Sequence, residues 1–305
     1  MRIAHFSDLH VLALDGVPTH RFLNKRFTGW VNLRVKRAHK HRPAHVRAVA
    51  REIARAKVDH VVITGDLTNL ALEQEFVAVR ELLEDHLGLR PDQISAVPGN
   101  HDLYTRGAMR DRRFTKYFHD YVASDLPELS ADIPIGRFPF VKLRGPVAII
   151  GLSSAVPRPP IMASGLLGKV QLEALSRILT HAEVKKRTPV ILLHHPVHNP
   201  ISKMETFLRG LDDADALIAK LAGVPRGLLL HGHLHVRQQR ALGTPVGELL
   251  SVGATSASLD HHHEHKMAGF NLYEVDDTGK LGKVEAHVLD AHADSFHVEL
   301  VPLVA

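Results

Sequence analysis

Five short apolar stretches of this chain each run directly into residues that ligate metal ions. Residues 3–6 lead into Asp8-Leu9-His10 and residues 61–63 into Gly65-Asp66. Residues 94–97 lead into Gly99-Asn100-His101-Asp102, 190–193 into His194-His195-Pro196, and 228–230 into His231-Gly232-His233-Leu234-His235. A brief apolar run bounded by turn residues is the pattern of a buried strand. In open α/β sheets, ligands bind outside the carboxyl ends of the strands. Five strand ends that converge would gather carboxylates and imidazoles into one cluster, as a two-metal hydrolase requires.

The rest of the chain narrows the chemistry. No cysteine occurs among the 305 residues, which excludes disulfides, thiolate metal sites and a cysteine nucleophile. Any metal ligands must be His, Asp, Glu or Asn. Hydrophobic residues make up 45% and charged residues 23%, ordinary for a soluble globular protein with a core of normal size. No run of about 18 apolar residues is present, so no membrane-spanning helix is expected. A strand begins right after Met1-Arg2, so no secretory signal is expected, and the cytoplasm is the expected compartment. The 24 histidines are many for this length. His39, His41, His45, His60, His86, His119 and His181 stand in polar or helical contexts and read as surface residues. His261-His262-His263-Glu264-His265, after the small-residue stretch 251–256, reads as a solvated loop.

Periodicity predicts helices over 44–56, 72–87, 107–122, 168–181 and 211–221, alternating with strands. Two of those strands are expected at 138–143 and 147–152. The last seventy residues read instead as consecutive strands at 236–242, 246–252, 270–275, 284–289 and 297–301, with a hairpin signal at Asp276-Asp277-Thr278-Gly279. A mixed α/β first part and a strand-rich end suggest two sheets packed face to face with helices outside. No linker-like composition or repeat divides the chain, so one domain over 1–305 is expected, carrying an insert at 20–42.

Each motif alone has a plainer explanation. Asp66 after Gly65 suits a helix N-cap, Asn100 after Gly99 suits a turn, and a histidine is often a satisfied structural residue. Asp8 and His10, like His233 and His235, are two apart, which on extended chain points both side chains the same way. Five such elements in this order at five strand ends are improbable as coincidence.

Together they resemble the calcineurin-like metallophosphoesterases, whose pattern is D-x-H, GD, GNH[D/E], H and GHxH. Here it stands complete as Asp8-Leu9-His10, Gly65-Asp66, Gly99-Asn100-His101-Asp102, His194 and Gly232-His233-Leu234-His235. The resemblance is specific for fold and metal chemistry and says little of substrate. It implies an α/β fold, a four-layer αββα sandwich of two mixed sheets flanked by helices. It also implies two divalent ions, one on Asp8, His10 and His235, the other on Asn100, His194 and His233, with Asp66 bridging. Oxygen and nitrogen ligands suit Mn, Fe, Zn, Co or Ni, and Mn²⁺ is the expected pair. Two such ions about 3.5–4 Å apart clamp the attacking and leaving oxygens of an in-line displacement, with a bridging hydroxide as nucleophile. His101, next to a ligand, is placed to stabilise charge on phosphorus or protonate the leaving oxygen, with Asp102 orienting its ring or serving only as a turn residue. His195 is expected to face away from the metals, and His231 to be structural.

Residues 20–42 carry eight cations, Arg21, Lys25, Arg26, Arg34, Lys36, Arg37, Lys40 and Arg42, and no acid. The rest of the chain carries a net −3 against the total of +5. Leu23, Phe27, Trp30 and Val31 share a helical spacing in the same segment. Such a stretch can lie on an anionic membrane, peripheral to its inner face. It can also form a lid over a soluble anion, or a packed cap with solvated charges. Nucleic acid ranks low, because no aromatic array accompanies the charge. Three functions stay open. The segment resembles the insert of UDP-2,3-diacylglucosamine pyrophosphatases, which act on a lipid-linked nucleotide. The intact His101 and GHxH match cyclic-nucleotide phosphodiesterases. A scaffold that kept the fold and lost catalysis is the third, opposed by the complete ligand set.

Overall fold

The computed structural model describes residues 1–18, 41–159, 161–198, 202–293 and 295–304. The insert therefore lies outside the described residues except for His41 and Arg42, and so does His39.

The first sheet begins with β1 (Arg2–Phe6), β2 (His60–Ile63) and β3 (Ile94–Ala96), parallel to one another. The crossovers carry α1 (Pro43–Arg55) and α2 (Glu73–Leu87). Parallel neighbours need such crossovers, since a hairpin cannot connect them. Pro43 opens α1, where a missing N–H costs nothing. The helix turns Val46, Val49, Ala50 and Ile53 inward, and α2 does the same with Phe76, Val79, Leu83 and Leu87. The predicted helix at 107–122 is broken into α3 (Arg106–Arg110) and α4 (Arg113–Tyr117), because Arg112 between them adopts a left-handed backbone, φ 49°. Likewise the predicted strand at 138–143 divides at Pro139, which has no N–H to extend a ladder. On one side β5 (Gly136–Phe138) pairs with β4 (Ala131–Ile133); on the other β6 (Phe140–Arg144) enters the second sheet.

That sheet continues with β7 (Val147–Gly151), β8 (Thr188–Leu192) and β9 (Arg226–His231). Between them lie α5 (Lys169–Thr180), α6 (Ala182–Lys185), α7 (Lys203–Arg209) and α8 (Ala214–Leu221). The strand-rich end does not form one meander. β10 (Gln238–Thr244) and β11 (Gly247–Gly253) complete the second sheet, in the order β10-β11-β9-β8-β7-β6. β12 (Gly269–Val275), β13 (Leu281–Asp290) and β14 (Ser295–Leu300) then return to the first, β12 lying antiparallel to β1, to give β14-β13-β12-β1-β2-β3.

Side-chain alternation in the second sheet separates two cores. Ile149, Val190, Leu192, Leu228 and Leu230 pack against the first sheet. Ile150, Ile191 and Leu229 face Leu172, Leu175 and Ile178 of α5 and Leu217 and Leu221 of α8. The layers are helix, sheet, sheet, helix, as expected. Both sheets point the carboxyl ends of their parallel strands at one edge, and there the five motifs meet. No helix among the described residues is long and apolar enough to cross a membrane.

Three histidines expected on the surface are not there. His60, on β2, is fully buried, its Nε2 2.9 Å from the Ser95 hydroxyl, and burial lowers it to about 3, keeping it neutral. His45 is buried on the inner face of α1. His41 is partly buried and belongs with the site. The tract 262–265 is exposed as expected.

Candidate metal centre

β1 ends at Phe6 and β9 at His231, so neither Asp8-Leu9-His10 nor His233-Leu234-His235 is extended strand. Asp8, His10, Asp66, His233 and His235 all have left-handed backbones, φ 48–68°. This corrects the expected origin of the i, i+2 pairing: turns, not strand alternation, bring each pair to one side. A left-handed residue with a side chain costs roughly 1–2 kcal/mol, and Asp and His are among those that bear it. The neighbouring loops hold them there. Asp8 and His10 donate backbone N–H bonds to the carbonyls of Gly65 (2.9 Å) and Asp66 (3.0 Å), and Gly232 donates to that of His194 (3.1 Å).

Glycine is required where these loops touch. Gly65 has φ 101°, outside the usual range of a residue with a Cβ. A Cβ on Gly232 would lie 2.1 Å from Ser7 Oγ and 2.4 Å from Asp8 Oδ2.

Two sets of donor atoms result. In the first, Asp8 Oδ1 lies 3.0 Å from His235 Nε2 and 3.8 Å from His10 Nε2, and the two imidazole nitrogens are 3.3 Å apart. In the second, His194 Nε2 lies 3.2 Å from Asn100 Oδ1 and 3.4 Å from Asp66 Oδ2. Ligands bonded at about 2.0–2.2 Å around one ion stand roughly 3–4 Å from each other, depending on the angle between them, so these spacings fit a cation. His233 joins the second set, its ring 5.0 Å from that of His194. A carbonyl only accepts, so His233 Nε2 must donate to Arg209 O (3.0 Å), and Nδ1 is its nitrogen able to take a metal. By the same rule His194 donates Nδ1–H to Thr64 O (2.7 Å), which leaves Nε2 facing Asn100 and Asp66. Donor atoms of Asp8, Asp66 and His194 lie within 4.8 Å of one another, so Asp66 stands between the sets.

The electrostatics also call for positive charge. Asp8 and Asp66 are buried. Burial alone would raise both carboxyls. The imidazoles of His235 beside Asp8, and of His194 and His101 beside Asp66, hold them down instead, Asp66 well below its ordinary value. His194 is raised to about 9 against burial, chiefly by Asp66. His10 is held well below its ordinary value by burial and by His41 and His101 beside it. Its buried Nδ1 has no hydrogen-bond partner among the described residues. Two imidazole nitrogens 3.3 Å apart beside a buried carboxylate are poorly satisfied by protons and well satisfied by a metal ion.

His101 lies over the same edge. Its backbone N–H donates to Asp66 Oδ1 (2.7 Å) and its ring packs 4.9 Å from that of His10. The ring is oriented by Asn69, whose carbonyl accepts from Nδ1 at 2.7 Å, and it stacks on Tyr104. Asp102 does not perform the orienting role expected of it. Fully buried, it accepts from Thr68 N (2.8 Å), Thr68 Oγ1 (2.9 Å), Gly99 N (2.9 Å) and Leu67 N (3.2 Å). Four donors from two loops fix the Asp66 turn against the Asn100 turn, the plainer of the two expected roles. His195 is buried with both nitrogens engaged: Nε2 donates to Ala163 O (2.9 Å) and Nδ1 meets Ser154 Oγ (2.9 Å). Although its donor atoms lie within 4.8 Å of those of His194 and His233, these bonds turn it to a supporting role. His231 is buried and outside the donor groups.

Sequence reasoning missed three supports. Asn69 holds the His10 carbonyl through its amide and the His101 ring through its own carbonyl. Ser256, in the stretch read only as small residues, is buried and donates to Asp8 O at 2.6 Å. His41 lies against His10 and His235 with ring centroids 4.9 and 5.8 Å away. Only the small side chains of 254–258 offered a signal, since they permit close packing beneath the Asp8 loop.

A family model of calcineurin-like phosphoesterases matches residues 1–237. Among solved structures, a dimetal phosphatase from Danio rerio is similar over 99% of both chains, with 13% identity and a TM-score of 0.59. The purple acid phosphatase PPD1 from yellow lupin matches 97% of this chain and 52% of its own, with 11% identity and a TM-score of 0.61. Both likenesses are of fold. A search of curated protein sequences found no match.

Proposed function

From the premise that this chain belongs to the calcineurin-like phosphoesterases, and so is a metal-dependent phosphoester hydrolase, we propose that it cleaves the pyrophosphate of a lipid-linked nucleotide resembling UDP-2,3-diacylglucosamine. The observation that carries the hydrolytic part is the pair of donor sets joined at Asp66, with His101 on their rim. Asp8, His10 and His235 would hold one divalent ion, and Asn100, His194 and His233 the other, with Asp66 shared. Mn²⁺ is the proposed metal, with Fe, Zn or Co as alternatives. The ions supply Lewis acidity and make water nucleophilic at neutral pH. His101 keeps Nδ1–H on Asn69 O, and its other nitrogen, when protonated, gives a proton to the leaving oxygen or offsets charge on phosphorus. Thr64, Arg209 and Asn69 fix which nitrogen each imidazole presents.

Two features support the lipid-linked substrate. The basic, apolar segment 20–42 ends at this site, since its last two residues are His41 against His10 and Arg42 paired with Asp260. Near the second donor set, Ile161, Met204 and Phe207 are exposed, on the segments whose Ala163 and Arg209 carbonyls hold His195 and His233. The second reading, a soluble 3′,5′-cyclic nucleotide phosphodiesterase, is favoured by the intact Gly99-Asn100-His101-Asp102 with His233 and His235. Hydrolysis of UDP-2,3-diacylglucosamine and of cyclic AMP, assayed side by side with Mn²⁺, separates them. The proposal expects turnover of the first and little of the second; the reverse outcome establishes the phosphodiesterase.

A further inference from the structure

We propose that His41 is a positioning residue for the ion of Asp8, His10 and His235, setting how tightly that ion alone is held. The proposal rests on the ligand assignment above and adds to it a residue outside the family's motifs.

His41 touches all three ligands, two directly and one by relay. Its ring stands edge-on to that of His10, centroids 4.9 Å apart at 76°, and to that of His235, 5.8 Å apart at 82°. Its Nδ1 lies 2.8 Å from Ser258 Oγ. Ser258 Oγ lies 3.1 Å from Ser256 Oγ, which donates to the Asp8 carbonyl at 2.6 Å. His41 is assigned beside the ligands rather than among them, because no group of three or more metal-binding donors among the described residues includes it.

The residue is also fixed from behind. His41 forms an antiparallel bridge with Leu259, Arg42 N donates to Ser258 O at 2.7 Å, and the Arg42 guanidinium meets Asp260 at 2.7 Å. A ring clamped in this way limits rotation of both imidazole ligands. His10 depends on such packing, since its Nδ1 has no hydrogen-bond partner among the described residues to orient it. The second donor set has its own restraints, Thr64 O on His194 and Arg209 O on His233. Groups that orient ligands from behind are typically worth about 10–100-fold in metal affinity.

The test is titration of metal-free full-length protein with Mn²⁺, by calorimetry and by the electron paramagnetic resonance of bound Mn²⁺. His10→Ala and Asn100→Ala identify which binding event belongs to which donor set. His41→Ala should weaken the His10 event by about 10–100-fold and leave the Asn100 event unchanged. His41→Phe keeps the packing without the hydrogen bond, and Ser258→Ala removes the hydroxyl; both should weaken the same event, by less. Wild-type affinity at the His10 event in His41→Ala overturns the proposal, as does weakening confined to the Asn100 event. Should His41→Ala fail to melt cooperatively, the other two variants decide, and wild-type binding in both overturns it. A wild-type protein that binds fewer than two ions refutes the ligand assignment itself, and the role of His41 falls with it.

Discussion

At the scale of single residues, Asp66 carries the heaviest demand. It lies between the two donor sets, accepts the His101 N–H and is almost wholly buried. Asp66→Asn keeps the shape and removes the charge that two cations would share. Metal content by atomic emission should fall by most of its wild-type value and turnover nearly vanish; two ions retained at full activity would refute the bridging role. His101 should behave oppositely, since its nitrogens are assigned to the Asn69 carbonyl and to substrate. His101→Ala should keep both ions while kcat falls about 10²–10⁴-fold. The fall should be smaller for bis-p-nitrophenyl phosphate, whose leaving group needs little protonation. Loss of metal in that variant would show the role misplaced. The candidate ligand residues could be picked out in sequence because their types and order sit at fixed points after apolar runs. Their left-handed backbones could not, because the Asp8 and His233 backbones are held by N–H bonds to residues about 60 and 225 positions away. Asp102 misled for the same reason. Adjacency to His101 suggested a shared hydrogen bond, whereas its partners lie mainly at 67–68.

At the scale of elements, the strands before the motifs and the helices α1, α2 and α5 follow from periodicity. The destination of the C-terminal strands does not, because β11 and β12 differ little in pattern yet join different sheets. Buried histidines such as His60 escaped notice because a single imidazole held through Nε2 by Ser95 has no sequence signature. Lys142 is a similar case with a measurable consequence. It leaves β6, at one edge of the second sheet, and donates to the carbonyls of Ile94 on β3 (2.5 Å) and of Asp120 (3.0 Å). Burial, with Arg144 nearby, lowers the ammonium from 10.5 to about 8. Between those values the unfolded chain binds a proton that the folded chain does not, so the Lys142 contribution to stability grows as pH rises through this window. Urea unfolding of wild type and Lys142→Met at pH 7 and pH 9.5 should show the wild type gaining on the variant at the higher pH. A wild type that loses stability relative to the variant over this interval would contradict the burial of this amine.

At the scale of the whole molecule, the charge is unevenly placed. Eight cations without an acid occupy residues 20–42, and the remainder of the chain is slightly acidic. The last two residues of that segment lie in the described structure, His41 against His10 of the candidate metal centre and Arg42 paired with Asp260. In sequence, Leu23, Phe27 and Trp30 recur within the segment at helical spacing. Apolar burial and about 1 kcal/mol for each Lys or Arg near an anionic bilayer would together hold the protein at a membrane face. Wild-type protein should therefore co-sediment with anionic liposomes at low salt and less so at high salt, since screening weakens the charge contribution. Replacing Leu23, Phe27 and Trp30 with Ser should abolish sedimentation and lower turnover of the lipid-linked nucleotide. Bis-p-nitrophenyl phosphate should be spared, because the ligands lie elsewhere on the chain. If the triple variant loses both activities, or if wild type ignores liposomes at low salt, the segment is a packed cap. In that case a soluble substrate, with cyclic nucleotides first, becomes the better account of the site.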